Sequence, residues 1–201
     1  MVPNDFEVSE DLEPQPASDA DEAPAIPAER MRETLDELFS AAYEELKRIA
    51  ASLKRADRNP TLNPTALVNE TWLKLSRAHG LQLKSRLHLK RVAAQAMRYI
   101  LADAARRRAK SNRGENEELV FVTFTDFPKP MRCDKQFLAL HEALDELEKV
   151  DSRQATVVEC RYFGGFDVAE LVELLQVSEA TITRDWRAAK AWLAAEIRER
   201  Q

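Results

Sequence analysis

Residues 178–193, SEATITRDWRAAKAWL, constrain the fold of this chain more than any other stretch. Ser178 is a good helix N-cap, and Glu179 puts an anion in the first turn, where the helix dipole favours one. Ile182, Trp186, Ala189 and Leu193 recur at spacings of 4, 3 and 4, which predicts a single buried stripe. Thr181, Thr183, Arg184, Arg187 and Lys190 are left on the other face. Upstream, Phe166, Leu171, Leu174 and Leu175 mark a shorter helix, and Gln176-Val177 supplies a tight corner. A short helix, a corner and a capped helix with a cationic face together form the pattern by which a helix-turn-helix presents its second helix to DNA. An ordinary surface helix with solvated charges fits the same sixteen-residue string, so the rest of the chain has to decide.

Charge is the next constraint. The formal net charge of −5 over 201 residues argues against DNA binding only if it is evenly spread, and it is not. Residues 1–30 hold nine acids and one base, leaving 29 bases against 26 acids in residues 31–201. Within these, residues 84–113 carry ten bases and a single acid, Asp103. A local charge of +9 within about one helix length is the electrostatic footprint of a phosphate-binding surface.

Cys133 and Cys160 lack any paired spacing, so neither a disulfide framework nor a metal site is expected. His79, His88 and His141 are scattered, and no nucleophile–base set or phosphate loop occurs, which leaves an enzyme with little support and no cofactor implied. No apolar run approaches the ~20 residues of a membrane span, and an acidic N-terminus does not suit a signal peptide. A cytoplasmic protein is expected.

Residues 1–28 are acidic, rich in proline and poor in large apolar residues, the composition of a disordered extension. From Ala28 to about Ala56, Leu35, Leu38, Phe39, Ala42, Leu46, Ile49 and Leu53 predict a long amphipathic helix, ended by Asn59-Pro60. Asn63-Pro64 starts a second helix that buries Leu67, Val68, Trp72 and Leu75 and closes at Gly80. The third, roughly Leu87 to Lys110, has Val92, Ala93, Ala96, Met97, Ile100, Leu101 and Ala104 on its apolar side, with Arg91, Arg98, Arg106, Arg107 and Arg108 directed elsewhere. Three such helices pack as a small bundle. Residues 119–124 alternate weakly enough for a short strand, but Pro128 and Pro130 favour an extended linker over 113–133. A second helical unit over 134–201 begins near Asp134, continues with a helix capped by Asp151 and ends in the helix-turn-helix. The fold class is therefore all-α: two small helical domains, 29–112 and 134–201, on a flexible linker.

The strings NPTALVNETWLKL (63–75), AAQAMRYILADAARRR (93–108) and ALDELEKVDSRQATVVECRYFGG (143–165), leading into VSEATITRDWRAAKAWL (177–193), resemble an extracytoplasmic-function (ECF) RNA polymerase sigma factor, and most of all its ECF-like helix-turn-helix subgroup. The resemblance spans about residues 31–198. It implies a sigma region 2-like domain that binds the β′ clamp helices of core RNA polymerase and melts the minus-ten promoter element. It also implies a region 4-like domain that binds the minus-thirty-five element and the β flap. The minus-ten surface would fall on Lys84, Ser85, Arg86, His88, Arg91, Gln95 and Arg98, which suit a phosphate backbone and, through His88 and the arginine planes, an unpaired base. Thr183, Arg184, Arg187 and Lys190 would form the minus-thirty-five surface, with the arginines suited to guanine and Lys190 to phosphate.

Three departures from the family pattern stand out. Leu89-Lys90 occupies positions where aromatic residues are common, Gln176 and Val172 replace the usual glycine and alanine of the turn, and the polymerase-facing helix opens on Asn63-Pro64-Thr65-Ala66 without its usual acids. The polymerase-binding positions by resemblance are Thr65, Val68, Asn69, Glu70 and Trp72. Phosphorylation of Thr65 by a Ser/Thr kinase would restore about two negative charges at a helix N-terminus. An anti-sigma factor is a further candidate partner. The alternative reading, a stand-alone helix-turn-helix transcription regulator, has no need for the basic helix over 84–113 beside a separate polymerase-binding helix.

Overall fold

A computed structural model describes residues 28–54, 63–78, 81, 83–111 and 134–199. The expected disordered extension up to residue 27, the candidate strand at 119–124 and the linker over 113–133 lie outside the described residues. Within them the chain forms seven helices and no strand: α1 (Ala28–Lys54), α2 (Pro64–Arg77), α3 (Arg86–Ser111), α4 (Asp134–Val150), α5 (Ser152–Phe163), α6 (Val168–Leu175) and α7 (Glu179–Glu199).

Local chemistry sets the helix ends. The Asn63 side chain accepts from the Ala66 amide at 2.7 Å, with Pro64 at the first helical position of α2. Asp151 caps α5 by accepting from the Gln154 amide at 3.0 Å. Asp167 opens α6 with a reciprocal capping box: its carboxylate accepts from the Glu170 amide, and the Glu170 carboxylate accepts from the Asp167 amide. Between α5 and α6 the chain turns through Gly164 and Gly165. A Cβ on Gly164 would stand 2.7 Å from the Cys160 carbonyl and the Phe166 ring, so only glycine fits there.

Two apolar cores follow. Leu35, Phe39, Leu46, Leu67, Val68, Leu75, Leu89, Val92 and Met97 form the first, among α1, α2 and α3. Leu140, Leu144, Leu147, Val157, Phe163, Leu171, Ile182, Ala189 and Leu193 form the second, among α4 to α7. The two halves are packed together along α3. Ala94 joins the second core, and Phe137 of α4 lies against both, meeting Phe163 edge to face with ring centroids 6.0 Å apart. The sequence assigns α3 one apolar side; the structure gives it two. Alanines at 94, 102 and 105 are buried in addition to those at 93, 96 and 104, and their small side chains let a second set of helices approach closely.

Candidate nucleic-acid interface

In α7, Ser178 acts as the cap, its hydroxyl accepting from the Thr181 amide at 3.2 Å. The predicted stripe of Ile182, Trp186, Ala189 and Leu193 is buried. Outward, Arg184 and Arg187 are exposed, while Thr183 and Lys190 are half-buried. Glu179, Ala180, Thr183, Arg184, Arg187 and Ala188 line one shallow, open hollow. Two cations flank the indole of Trp186: the Arg161 guanidinium lies 4.4 Å from the ring centroid and the Lys190 ammonium 5.3 Å. The orientation of α7 is fixed from beneath by Asp185, which receives Arg153 Nε at 2.6 Å and Nη2 at 3.3 Å.

The corner before α7 is built as a glycine corner would be, without the glycine. Gln176 adopts φ 53 and ψ 39, the left-handed region. Its side-chain amide donates to the Glu173 carbonyl at 2.6 Å, one of the orphan acceptors at the end of α6.

The second cationic surface begins just before α3. Lys84, Ser85 and Arg86 are exposed. The Ser85 hydroxyl accepts from the His88 amide at 3.1 Å, and His88 Nδ1 accepts from the Lys84 amide at 3.2 Å, a reciprocal pair that locks the start of the helix. Burial, with Arg91 and Lys84 nearby, holds the His88 pKa below its ordinary value, and acceptance at Nδ1 assigns the ring proton to Nε2. Arg86 is ion-paired with Glu45 of α1. Burial works against the Glu45 charge, but Lys90 and Arg86 overcome it and hold this carboxyl below the usual range.

Further along α3 the expected surface turns inward. Arg91 is half-buried, and Gln95 and Arg98 are 6% and 2% exposed. The sequence directs Arg98 away from the apolar side of its helix; the structure instead seals that direction with α4 and α5. Arg98 Nε donates to Glu159 at 2.7 Å, and Nη1 donates to Asp145 at 2.7 Å and to the His141 carbonyl at 3.2 Å, with His141 Nδ1 at 3.1 Å. Burial opposes the Arg98 charge, but Glu159 and Asp145 outweigh it and raise the guanidinium above its ordinary range. Glu159 is pushed up by burial against the pull of Arg98. A permanently charged guanidinium at 2.7 Å makes the carboxylate the form this site is built for. Sequence reading passed over Lys90, which is 3% exposed and bridges Glu45 of α1 and Glu170 of α6 with its ammonium 4.4 Å from the Phe166 ring centroid.

On α2, Thr65, Asn69 and Glu70 are exposed, and the first turn carries no acid. Val68 is fully buried in the first core, and Trp72 is half-buried, its indole N–H donating to Asp36 at 3.0 Å. These two positions therefore lie inward of the other three. Among the described residues no cluster of three or more His, Cys, Asp or Glu side chains could hold a metal ion, and no helix is long and apolar enough to cross a membrane. Cys160 is buried, which pushes its thiol well above the ordinary value.

No curated protein and no solved structure shows a significant match to this chain. A family model described as ECF sigma factor matches residues 31–199, which include every described helix except the first turn of α1. With its all-helical architecture and helix-turn-helix, the chain belongs to the ECF sigma factor family.

Proposed function

We propose that this protein binds core RNA polymerase as a non-catalytic subunit and directs promoter-specific initiation through two separate DNA contacts. In this reading residues 134–201 take the minus-thirty-five element with Arg184 and Arg187, while the segment before α3 and that helix take the minus-ten element. The exposed start of α2, around Thr65, Asn69 and Glu70, meets the β′ clamp helices, and the second half meets the β flap. Family membership supports the partners, core polymerase and promoter DNA. The observation that carries the DNA-reading assignment is the pair of exposed guanidiniums on α7, held outward by a helix whose opposite stripe is buried. Thr65, exposed at an acid-free helix start, supports control of the polymerase contact by phosphorylation.

In vitro transcription from a genomic promoter pool with purified core polymerase tests the reading. Specific transcripts should appear only when this protein is added, and Arg187→Ala should remove them. Transcripts identical with and without the protein would overturn it.

A further inference from the structure

Thr65, Asn69 and Leu73 recur every four residues on the outward side of α2, and the half-buried Trp72 flanks that stripe. Leu73 is 37% exposed, one of two large apolar side chains left in solvent among the described residues. Beside it the Trp72 indole N–H reaches across to α1 and donates to Asp36 Oδ1 at 3.0 Å. Asp36 is itself exposed, and among the described residues its second carboxylate oxygen has no partner. A hydrogen bond in water contributes only modestly to folding, because water serves either group nearly as well. It does restrict the ring. An indole held by its polar edge has less rotamer freedom left to lose when a partner buries its apolar body.

We infer that Asp36 of α1 belongs to the polymerase contact of α2: it positions the Trp72 ring beside Leu73 and presents a carboxylate to a cation of the partner surface. The inference rests on the reading of α2 as the helix that meets core polymerase. The first turn of α2 carries no acid, so the stripe has no anion of its own around Thr65. Asp36 brings one from the neighbouring helix, about two turns further along the stripe at Trp72. One carboxylate then performs two tasks, since Oδ1 holds the indole while Oδ2 is open to a lysine or arginine. An exposed leucine beside a fixed aromatic ring, edged by an anion, suits a partner face with an apolar centre and a cationic rim. Asp36 is thus a positioning residue through Trp72 and a contact in its own right.

Titration of the dye-labelled full chain with purified core polymerase tests this. Asp36→Asn removes the charge but keeps an oxygen that can accept the indole N–H, whereas Asp36→Ala removes both. Binding should weaken about 3-fold in Asp36→Asn, with a shallower salt dependence, and about 10-fold in Asp36→Ala. In a Trp72→Phe background, which has a ring but no donor, the two Asp36 variants should bind alike. Glu37→Gln, which removes the same charge from the next exposed position of α1, should bind as the wild type does. Thermal midpoints of the Asp36 variants should stay within about 3 °C of wild type, which separates a lost contact from a lost fold. On the free protein, nitrogen-15-labelled tryptophan gives three indole N–H signals. The Trp72 signal should move further in Asp36→Ala than in Asp36→Asn. Equal affinities of wild type and both Asp36 variants overturn the inference. Equal losses in Asp36→Asn and Asp36→Ala overturn the positioning role even if Trp72→Phe fails to fold. A loss in Glu37→Gln matching that in Asp36→Asn would reduce the effect to net charge and overturn it as well. Failure of the wild-type chain to bind core polymerase at all would overturn the reading of α2 itself, a result distinct from wild-type binding that the Asp36 variants leave intact.

Discussion

Arg153 and Asp185 form a two-pronged ion pair between α5 and the middle of α7, and the two partners are unequally buried: Asp185 is sealed beneath the recognition helix, while more than a third of the Arg153 side chain remains in water. The pair sets the roll of α7 and so the direction of Arg184 and Arg187. Removing each partner should have different costs. Arg153→Ala leaves a buried carboxylate without its cation and should destabilise by about 3 kcal/mol or more, whereas Asp185→Asn leaves a guanidinium that can hydrate and should cost about 1 kcal/mol. Urea unfolding of the two variants measures the difference; equal losses would show that the carboxylate has another partner.

The corner at Gln176 gives a second stability prediction. A non-glycine residue in the left-handed region carries a backbone cost that glycine does not, partly offset here by the side-chain hydrogen bond to Glu173. Gln176→Gly should therefore stabilise the fold by about 0.5 kcal/mol, and Gln176→Val, branched at Cβ and without that bond, should destabilise by about 1–2 kcal/mol. Thermal unfolding midpoints order the three proteins; a valine variant as stable as the glycine one would refute the strain.

Much of this architecture is legible in the sequence because its signals are local. The caps at Asn63, Asp151 and Ser178, the proline at the start of α2 and the stripe on α7 each lie within one or two turns and appear where expected. What escapes sequence reading is non-local. Periodicity assigns a charged residue to solvent, yet Arg98 is buried by partners up to 61 positions away and Lys90 by one 80 positions away. The only available hint is compositional. Alanines at 93, 94, 96, 102, 104 and 105 surround α3 instead of lining one side, a pattern suited to a helix packed on two faces. The corner at Gln176 escapes for a different reason, since propensity argues against a left-handed glutamine and the side-chain bond that offsets the cost shows only in three dimensions.

Acid should loosen the junction through His141. Burial and the adjacent Arg98 depress its pKa to about 4, against the pull of Asp145 and with lesser effects from Arg106 and Asp103, so the folded protein keeps the ring neutral. In the unfolded chain it titrates near 6.5, so between about pH 6.5 and 4 the unfolded state binds more protons and folding stability falls as pH is lowered. The loss attributable to this ring approaches about 3 kcal/mol across that window and stops below it, where both states are protonated. Urea unfolding as a function of pH should show a flatter slope between pH 6.5 and 4 in His141→Gln, whose amide oxygen can still accept from Arg98. Superimposable slopes would exclude His141 as the titrating group.

In the proposed reading of α7 as the helix that meets DNA, two kinds of cation are separated. Arg187 is exposed and carries a planar fork suited to a base edge, whereas Lys190 is half-buried beside the Trp186 ring and presents a point charge. Arg187→Ala should cost about 1–3 kcal/mol at the cognate minus-thirty-five site and much less on random DNA, while Lys190→Ala should weaken both about equally. Fluorescence anisotropy on paired cognate and random duplexes reads the two losses. Equal losses for Arg187→Ala would demote it to a backbone contact.

The start of α2 offers the regulatory prediction. In the reading proposed above the start of α2 meets a cationic polymerase surface, and a helix end with no acid in its first turn lacks the complementary charge that steers and holds such a contact. Thr65 is exposed there, and phosphorylation would add about two negative charges where the helix dipole favours them. Glutamate supplies one charge and lacks the phosphate oxygens. Unmodified protein should therefore bind core polymerase weakly, Thr65→Glu should bind somewhat better, and Thr65→Ala should lose any activation that a cellular kinase provides. Thr71 is the internal control, because it is buried and its hydroxyl donates to the Leu67 carbonyl at 2.8 Å, out of reach of a kinase. Phosphosite mapping should find Thr65 modified and Thr71 untouched. Full-strength transcription by both unphosphorylated protein and Thr65→Ala with purified core polymerase would rule out the switch and leave membership of the family unaffected, since that rests on residues 31–199 as a whole.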